Sequence, residues 1–136
     1  MEGDKLKPMA DRELVIVLDD DTGMLKAMQR LLQVRGFDVE VFCTAEAFND
    51  NARIHDAKCL VLDVHLDGVS GIDVRRQLTR AGHELPVIFV TGSTSEAVRE
   101  AALEAGCVAV LKKPFPSSDL LEAVELAVQR SKARLS

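Results

Sequence analysis

No stretch of the 136-residue chain approaches the ~18 consecutive apolar residues that a membrane-spanning helix needs. The N-terminal segment MEGDKLKPMADRE lacks the apolar centre of a secretory signal, so a cytoplasmic protein is expected. Cysteine is sparse: Cys43, Cys59 and Cys107 lie far apart, are odd in number and never form a C-x-x-C pair. That spacing argues against a disulfide framework or a zinc site and predicts buried, reduced thiols. Positive charge is not in excess either. The formal net charge of -5 opposes a phosphate backbone, so nucleic acid is not an expected partner. Internal repeats, linkers and low-complexity segments are lacking too.

What is present is a globular composition, with 47% hydrophobic and 29% charged residues, enough apolar content for one ordinary core. The apolar run Leu14 to Leu18 stops abruptly at Asp19, Asp20 and Asp21, the pattern of a strand buried on both faces. From Thr22 to Arg35, Met24, Met28, Leu31 and Leu32 recur at helical spacing, and Gly36 supplies the stop. FDVEVF alternates as a second strand, Thr44 to Asn51 reads as a short helix, and Cys59 to Leu62 is a third strand ending in Asp63.

The rhythm continues. Ser70 is placed to cap a third helix through Val74 and Leu78, and Pro86 to Val90 is a fourth strand ending at Thr91. Ser93 with Glu96 predicts a capping box for a fourth helix carrying Val98, Ala101, Ala102 and Ala105. Val108 to Leu111 is a fifth strand, and Ser117 to Arg130 a fifth helix. Helical crossovers between strands require a parallel sheet covered on both faces, and right-handed crossovers leave a few doubly wound arrangements.

The strands end in particular polar residues: Asp19, Asp20 and Asp21 on the first, Asp63 on the third, Thr91 on the fourth, Lys113 just past the fifth. Ligands of open α/β sheets bind at that carboxyl edge, so these side chains should converge. Carboxylates brought within a few ångströms repel unless a pKa rises or a cation enters between them. An all-oxygen donor set suits Mg²⁺, or Mn²⁺ in its place, better than zinc. Asp63 then has an oxygen free to attack an in-line phosphorus, while Thr91 and Lys113 are placed to stabilise phosphoryl oxygens.

The strings LVIVLDDDTGM, CLVLDVHLDGVSGID, VIFVTGSTSEA and VAVLKKPF, taken in this order, resemble the receiver domains of bacterial response regulators, most closely those of the FixJ/NarL type. The resemblance runs from about Glu13 to Arg130. It implies a flavodoxin-like (βα)5 fold with a five-stranded parallel sheet in the order 2-1-3-4-5. It also implies that Asp19 and Asp20 hold the metal with Asp63, the phosphoacceptor, and with the backbone carbonyl of His65. Thr91 takes the part of the switch hydroxyl, and Lys113 pairs with the acceptor and the phosphoryl group. A cis peptide is expected between Lys113 and Pro114.

Two positions depart from the family pattern. Val110 stands where the family usually carries Tyr or Phe, so a switch by ring rotation is not expected; the signal should pass instead through the loop from Gly92 to Ser95. Asp67 stands where proline is common, and reads as solvated. His55 and His83 lie in polar contexts and read as surface residues with no function. His65 stands beside the phosphoryl site, where its ring either faces solvent or governs the hydrolytic water.

Two other functions fit parts of the pattern. A phosphohydrolase of the haloacid dehalogenase type would use Asp19 as nucleophile, but the chain has no room for a cap domain and no acidic pair after the fourth strand. A receiver-shaped module that is never phosphorylated would have no need of Asp63, Thr91 and Lys113 together.

The expected organisation is a flexible N-terminal extension at 1–12, the receiver at 13–131 and a tail at 132–136. The chain is expected to be a signalling phosphoacceptor rather than an enzyme, taking its phosphoryl group from a sensor histidine kinase or phosphotransfer protein. Its fourth helix, fifth strand and fifth helix offer a surface for a possible homodimer. It reads either as a stand-alone receiver or as the N-terminal part of a transcription factor.

Overall fold

The computed structural model describes residues 12–135. Five parallel strands, β1 (Leu14–Leu18), β2 (Asp38–Phe42), β3 (Ala57–Asp63), β4 (Val87–Thr91) and β5 (Ala109–Lys112), form one sheet in the order β2-β1-β3-β4-β5. The helices are α1 (Thr22–Val34), α2 (Ala45–Asn51), α3 (Gly71–Arg80), α4 (Glu96–Ala105) and α5 (Ser117–Leu135). This is the doubly wound (βα)5 arrangement expected.

Strand alternation divides the core. Val15, Val17, Cys59, Val61, Ile88 and Val90 face one side, against Leu25, Met28 and Leu32 of α1 and Leu120, Val124 and Val128 of α5. Leu14, Ile16, Leu18, Leu60, Leu62 and Phe89 face the other, against Phe48 of α2, Ile72 and Val74 of α3 and Ala102 of α4. Because both faces are covered, β1 is buried at every position, which is why it reads as an unbroken apolar run. Each fully buried Leu, Ile or Val contributes about 1.5–3 kcal/mol, so the abrupt change to aspartate marks where the core ends and the rim begins.

Several local expectations need correction. Ser93 does not cap α4: Ser95 does, its side chain accepting from the Val98 N–H at 3.3 Å, while the Ser93 hydroxyl accepts from the Ser95 N–H at 3.0 Å. The S-x-x-E spacing is matched, but the chain is still turning at Ser93. Helix α5 runs on to Leu135, through most of the segment expected to be a tail. Nothing between Ser131 and Leu135 breaks a helix, and Lys132 pairs with Glu13. The N-terminal extension lies almost wholly outside the described residues. Cys59 is buried, but Cys43 is exposed, because it directly follows the last residue of the edge strand β2.

Two small elements carried no readable periodicity. A 3₁₀ turn, Ile54–Asp56, leads into β3, and a hairpin pairs His65–Leu66 with Val69–Ser70 across Gly68, whose φ of 80° a side chain rarely adopts.

Candidate functional site

The carboxyl ends of β1, β3, β4 and β5 bring Asp19, Asp63, Thr91 and Lys113 to one rim. Asp19 is fully buried, and Asp63 and Thr91 are each 4% exposed; they are the only buried polar side chains among the described residues. Carboxylate oxygens of Asp19, Asp20 and Asp63 lie within 4.8 Å of one another, with Asp20 on the solvent side. Asp21 turns away: it is the N-cap of α1, accepting from the Met24 N–H at 3.1 Å.

The backbone orients the two buried acids. Asp19 Oδ1 accepts from the Asp21 N–H at 2.9 Å, and Asp63 Oδ1 from the His65 N–H at 3.1 Å. Lys113 Nζ stands 2.8 Å from Asp19 Oδ2 and 3.4 Å from Asp63 Oδ2. The shorter contact is an ion pair without hydrogen-bond alignment, so Asp19 Oδ2 is buried with no hydrogen bond. One lysine thus faces two buried carboxylates. Taking an ion out of water costs several kcal/mol unless it is compensated, and the site shows that cost directly. Burial, and then the neighbouring Asp19, push the Asp63 carboxyl up to about 6, against the pull of the His65 N–H and Lys113. Burial by itself would lower the Lys113 ammonium; Asp19 and Asp63 together outweigh it and raise it, so the lysine stays charged.

A divalent cation fits this arrangement. The donors are carboxylate oxygens with no nitrogen or sulfur among them, one acid is exposed for entry, and the two buried carboxylates share a single lysine.

Thr91 belongs to the rim, but its hydroxyl is turned to its own loop. Thr91 Oγ1 accepts from the Ser93 N–H at 3.0 Å, Ser93 Oγ from the Ser95 N–H, and Ser95 Oγ from the Val98 N–H. Three hydroxyls at every second residue therefore link the end of β4 to the first turn of α4. Gly92 has an ordinary φ and open space where a Cβ would lie, so this conformation does not demand glycine there. Val110 lines a recess of about 100 Å³ together with Thr91, Ser93, Glu96, Arg99 and Lys112. The Lys113–Pro114 peptide is cis. The His65 and Asp67 side chains are exposed.

Sequence reading missed Gly71. A Cβ there would stand 2.0 Å from the carbonyl oxygen of Asp63 and 2.9 Å from its carbonyl carbon. The Gly71 N–H also donates to Val64 O at 2.9 Å, so the start of α3 is pressed against the backbone that carries Asp63. Gly71 follows the Ser70 cap directly, but its close approach is a tertiary contact with no local signal.

A rim of this kind, on this sheet, is the arrangement of a receiver-type module. The sequence profile of the response regulator receiver domain matches residues 15–125. Response regulator protein TodT of Pseudomonas putida is 38% identical over 125 residues, covering 91% of this chain and 55% of its own length. Among solved structures, response regulator StyR superposes with a TM-score of 0.84 at 35% identity, over 90% of this chain and 62% of that one. The BeF3-activated DrrB receiver domain superposes at 0.79 with 29% identity, over 87% of this chain and 98% of its own. The chain belongs to the response regulator receiver domain family and is a receiver domain of two-component signal transduction, in which phosphorylation and Mg²⁺ dependence are general. It spans about half the length of the curated relatives it matches.

Proposed function

We propose that Asp63 is the phosphoacceptor of this receiver, and that Asp19, Asp20, Asp63 and the backbone carbonyl of His65 hold Mg²⁺ or Mn²⁺. The observation that carries the reading is the pair of buried carboxylates with a single lysine between them and an exposed third acid beside them. When bound, the cation supplies positive charge that offsets the acids and the incoming phosphoryl oxygens.

The chain's own groups do the rest. The His65 N–H fixes one oxygen of Asp63, leaving the carboxylate oriented to attack phosphorus. With a carboxyl value near 6, Asp63 is largely ionised at neutral pH even without a cation. As the Asp63 oxygen bonds to phosphorus, the bond from phosphorus to the donor nitrogen of a phosphohistidine breaks, and the electron pair leaves with the imidazole. Lys113, already against Asp63 Oδ2, is placed to follow the developing charge on the phosphoryl oxygens. Thr91 then has a reason to turn: its hydroxyl can leave the Ser93 N–H and donate to a phosphoryl oxygen. That breaks the first link toward α4 and transmits the event through the Gly92–Ser95 loop.

The domain is on this reading a signalling phosphoacceptor, not an enzyme acting on separate substrates. Its donor is a sensor histidine kinase or a phosphotransfer protein, and its place is the cytoplasm. No helix among the described residues is long and apolar enough to cross a membrane. Homodimerisation on this reading uses the face formed by α4, β5 and α5.

Intact-mass measurement after treatment with acetyl phosphate and Mg²⁺ tests the assignment. Wild type should gain one phosphoryl group and Asp63→Asn none. A variant that is still phosphorylated, or one that transfers to Asp19, overturns the reading and favours the dehalogenase-type alternative.

A further inference from the structure

The other end of the same strands carries a feature that the receiver chemistry does not use. His55 lies in the 3₁₀ turn that leads into β3, and His83 in the loop that leads into β4, so both sit at the edge of the sheet opposite Asp63. Folding brings the two rings together: their centres are 5.0 Å apart and their planes are inclined by 67°. They line a cavity of about 240 Å³ with Ala57, Lys58, Glu84 and Pro86.

That separation is informative. A cation bound about 2.0–2.1 Å from one nitrogen of each imidazole stands about 3.2 Å from each ring centre. For ligand angles between about 90°, as in a square plane, and about 109°, as in a tetrahedron, the ring centres then fall about 4.5–5.2 Å apart. The observed 5.0 Å lies inside that interval, in an edge-to-face contact at 67° of a kind that two free rings also adopt.

The supporting backbone is fixed. The His83 N–H donates to Leu78 O at 2.9 Å, immediately after Gly82 reverses the chain at φ 89°, the Asp56 N–H donates to Arg53 O at 3.1 Å across the turn that holds His55, and the Leu60 N–H donates to Pro86 O at 3.0 Å, tying the middle of β3 to the start of β4. His55 is exposed and offers entry from solvent, while His83 is half-buried at the cavity wall. Of the charged groups lining the cavity, Lys58 opposes a cation and Glu84 favours one.

We propose that His55 and His83 form a two-imidazole site for a late first-row divalent cation, such as Zn²⁺, Ni²⁺ or Cu²⁺, with water completing the coordination. Imidazole nitrogen selects these ions over Mg²⁺, which prefers oxygen, so the two ends of the sheet take different metals. The bound ion bridges the segments that precede β3 and β4. This site is independent of the phosphoacceptor assignment.

The test is a Zn²⁺ titration of tag-free protein in excess Mg²⁺, followed by the ring resonances of the three histidines. His55 and His83 signals should move together along one binding curve, with His65 unmoved. In His55→Ala the midpoint read from His83 should weaken by at least about tenfold, the lower figure for loss of even an outer metal partner; His83→Ala should do the same to His55. Backbone amide spectra of both variants check that they fold, and both substitutions fall outside the core. If neither ring responds, if one responds alone, or if each keeps its midpoint without the other, the site does not exist.

Discussion

The Thr91 hydroxyl accepts a hydrogen bond from the Ser93 N–H at 3.0 Å, so the side chain expected to meet a phosphoryl group is engaged with its own loop. If a phosphoryl group draws it inward, the Ser93 N–H is freed first, and the links to Ser95 and to the cap of α4 are expected to loosen after it. The cap alone is worth about 1 kcal/mol, enough to shift the first turn of a ten-residue helix.

Hydrogen exchange across residues 92–110, with and without beryllofluoride, should therefore change first at Ser93 and Ser95 and then in the opening turn of α4. Thr91→Ala should reduce that response while leaving Asp63 phosphorylatable. An unchanged segment 92–110 would refute transmission through the loop.

Gly71→Ala should be strongly destabilising for its size. The new methyl has no room at 2.0 Å from the Asp63 carbonyl oxygen, and both partners are backbone. Overpacking against parts that cannot swing aside costs about 1–3 kcal/mol or more, so urea unfolding should show a lower midpoint. Gly92→Ala, with open space around it, is the control and should stay within about 0.5 kcal/mol of wild type.

In EDTA, the stability of the wild type should carry the signature of Asp63. Its carboxyl is raised from 3.8 to about 6, so ionisation costs the folded protein more than the unfolded chain. The penalty is absent below the unfolded value of about 4, grows as pH rises through about 6, and is then constant. Asp63→Asn should gain on wild type by about 1–3 kcal/mol between pH 4.5 and 7.5, read from melting curves. Mg²⁺ should close much of that gap. A difference independent of pH would show that the acids do not repel as described.

Val110→Phe should be tolerated, because the recess of about 100 Å³ beside Val110 and Thr91 accepts the larger ring. A cost below about 1.5 kcal/mol is expected for a substitution that fills existing space. A loss above about 3 kcal/mol, the upper end of ordinary overpacking, would mean that the recess is not available to this position.

Much of this was legible in the residues. Strands β1 and β4, and β3 from Cys59 onward, are buried on both faces, so each is a run of apolar residues with a polar stop, and the stops mark the rim. Helix boundaries were less legible where two neighbouring residues could each serve as the cap. Ser93 and Ser95 carry the same hydroxyl, and only the path of the loop decides between them. The end of α5 was misjudged because a favourable pairing, Lys132 with Glu13, comes from the opposite end of the chain. Gly71 and the His55–His83 pair could not be read at all, since each gains its meaning from a neighbour that the fold supplies.

Edge strand β2 ends beside the acidic rim: the Asp19 N–H donates to the carbonyl of Phe42 at 3.1 Å, and the next residue is the exposed Cys43. Burial pushes the Cys59 thiol up beyond easy ionisation, and it raises Cys107 too, against the pull of Arg75 and Arg99. A maleimide dye should therefore attach first at Cys43, a natural anchor beside the acidic rim, and report phosphoryl arrival optically without any engineered residue.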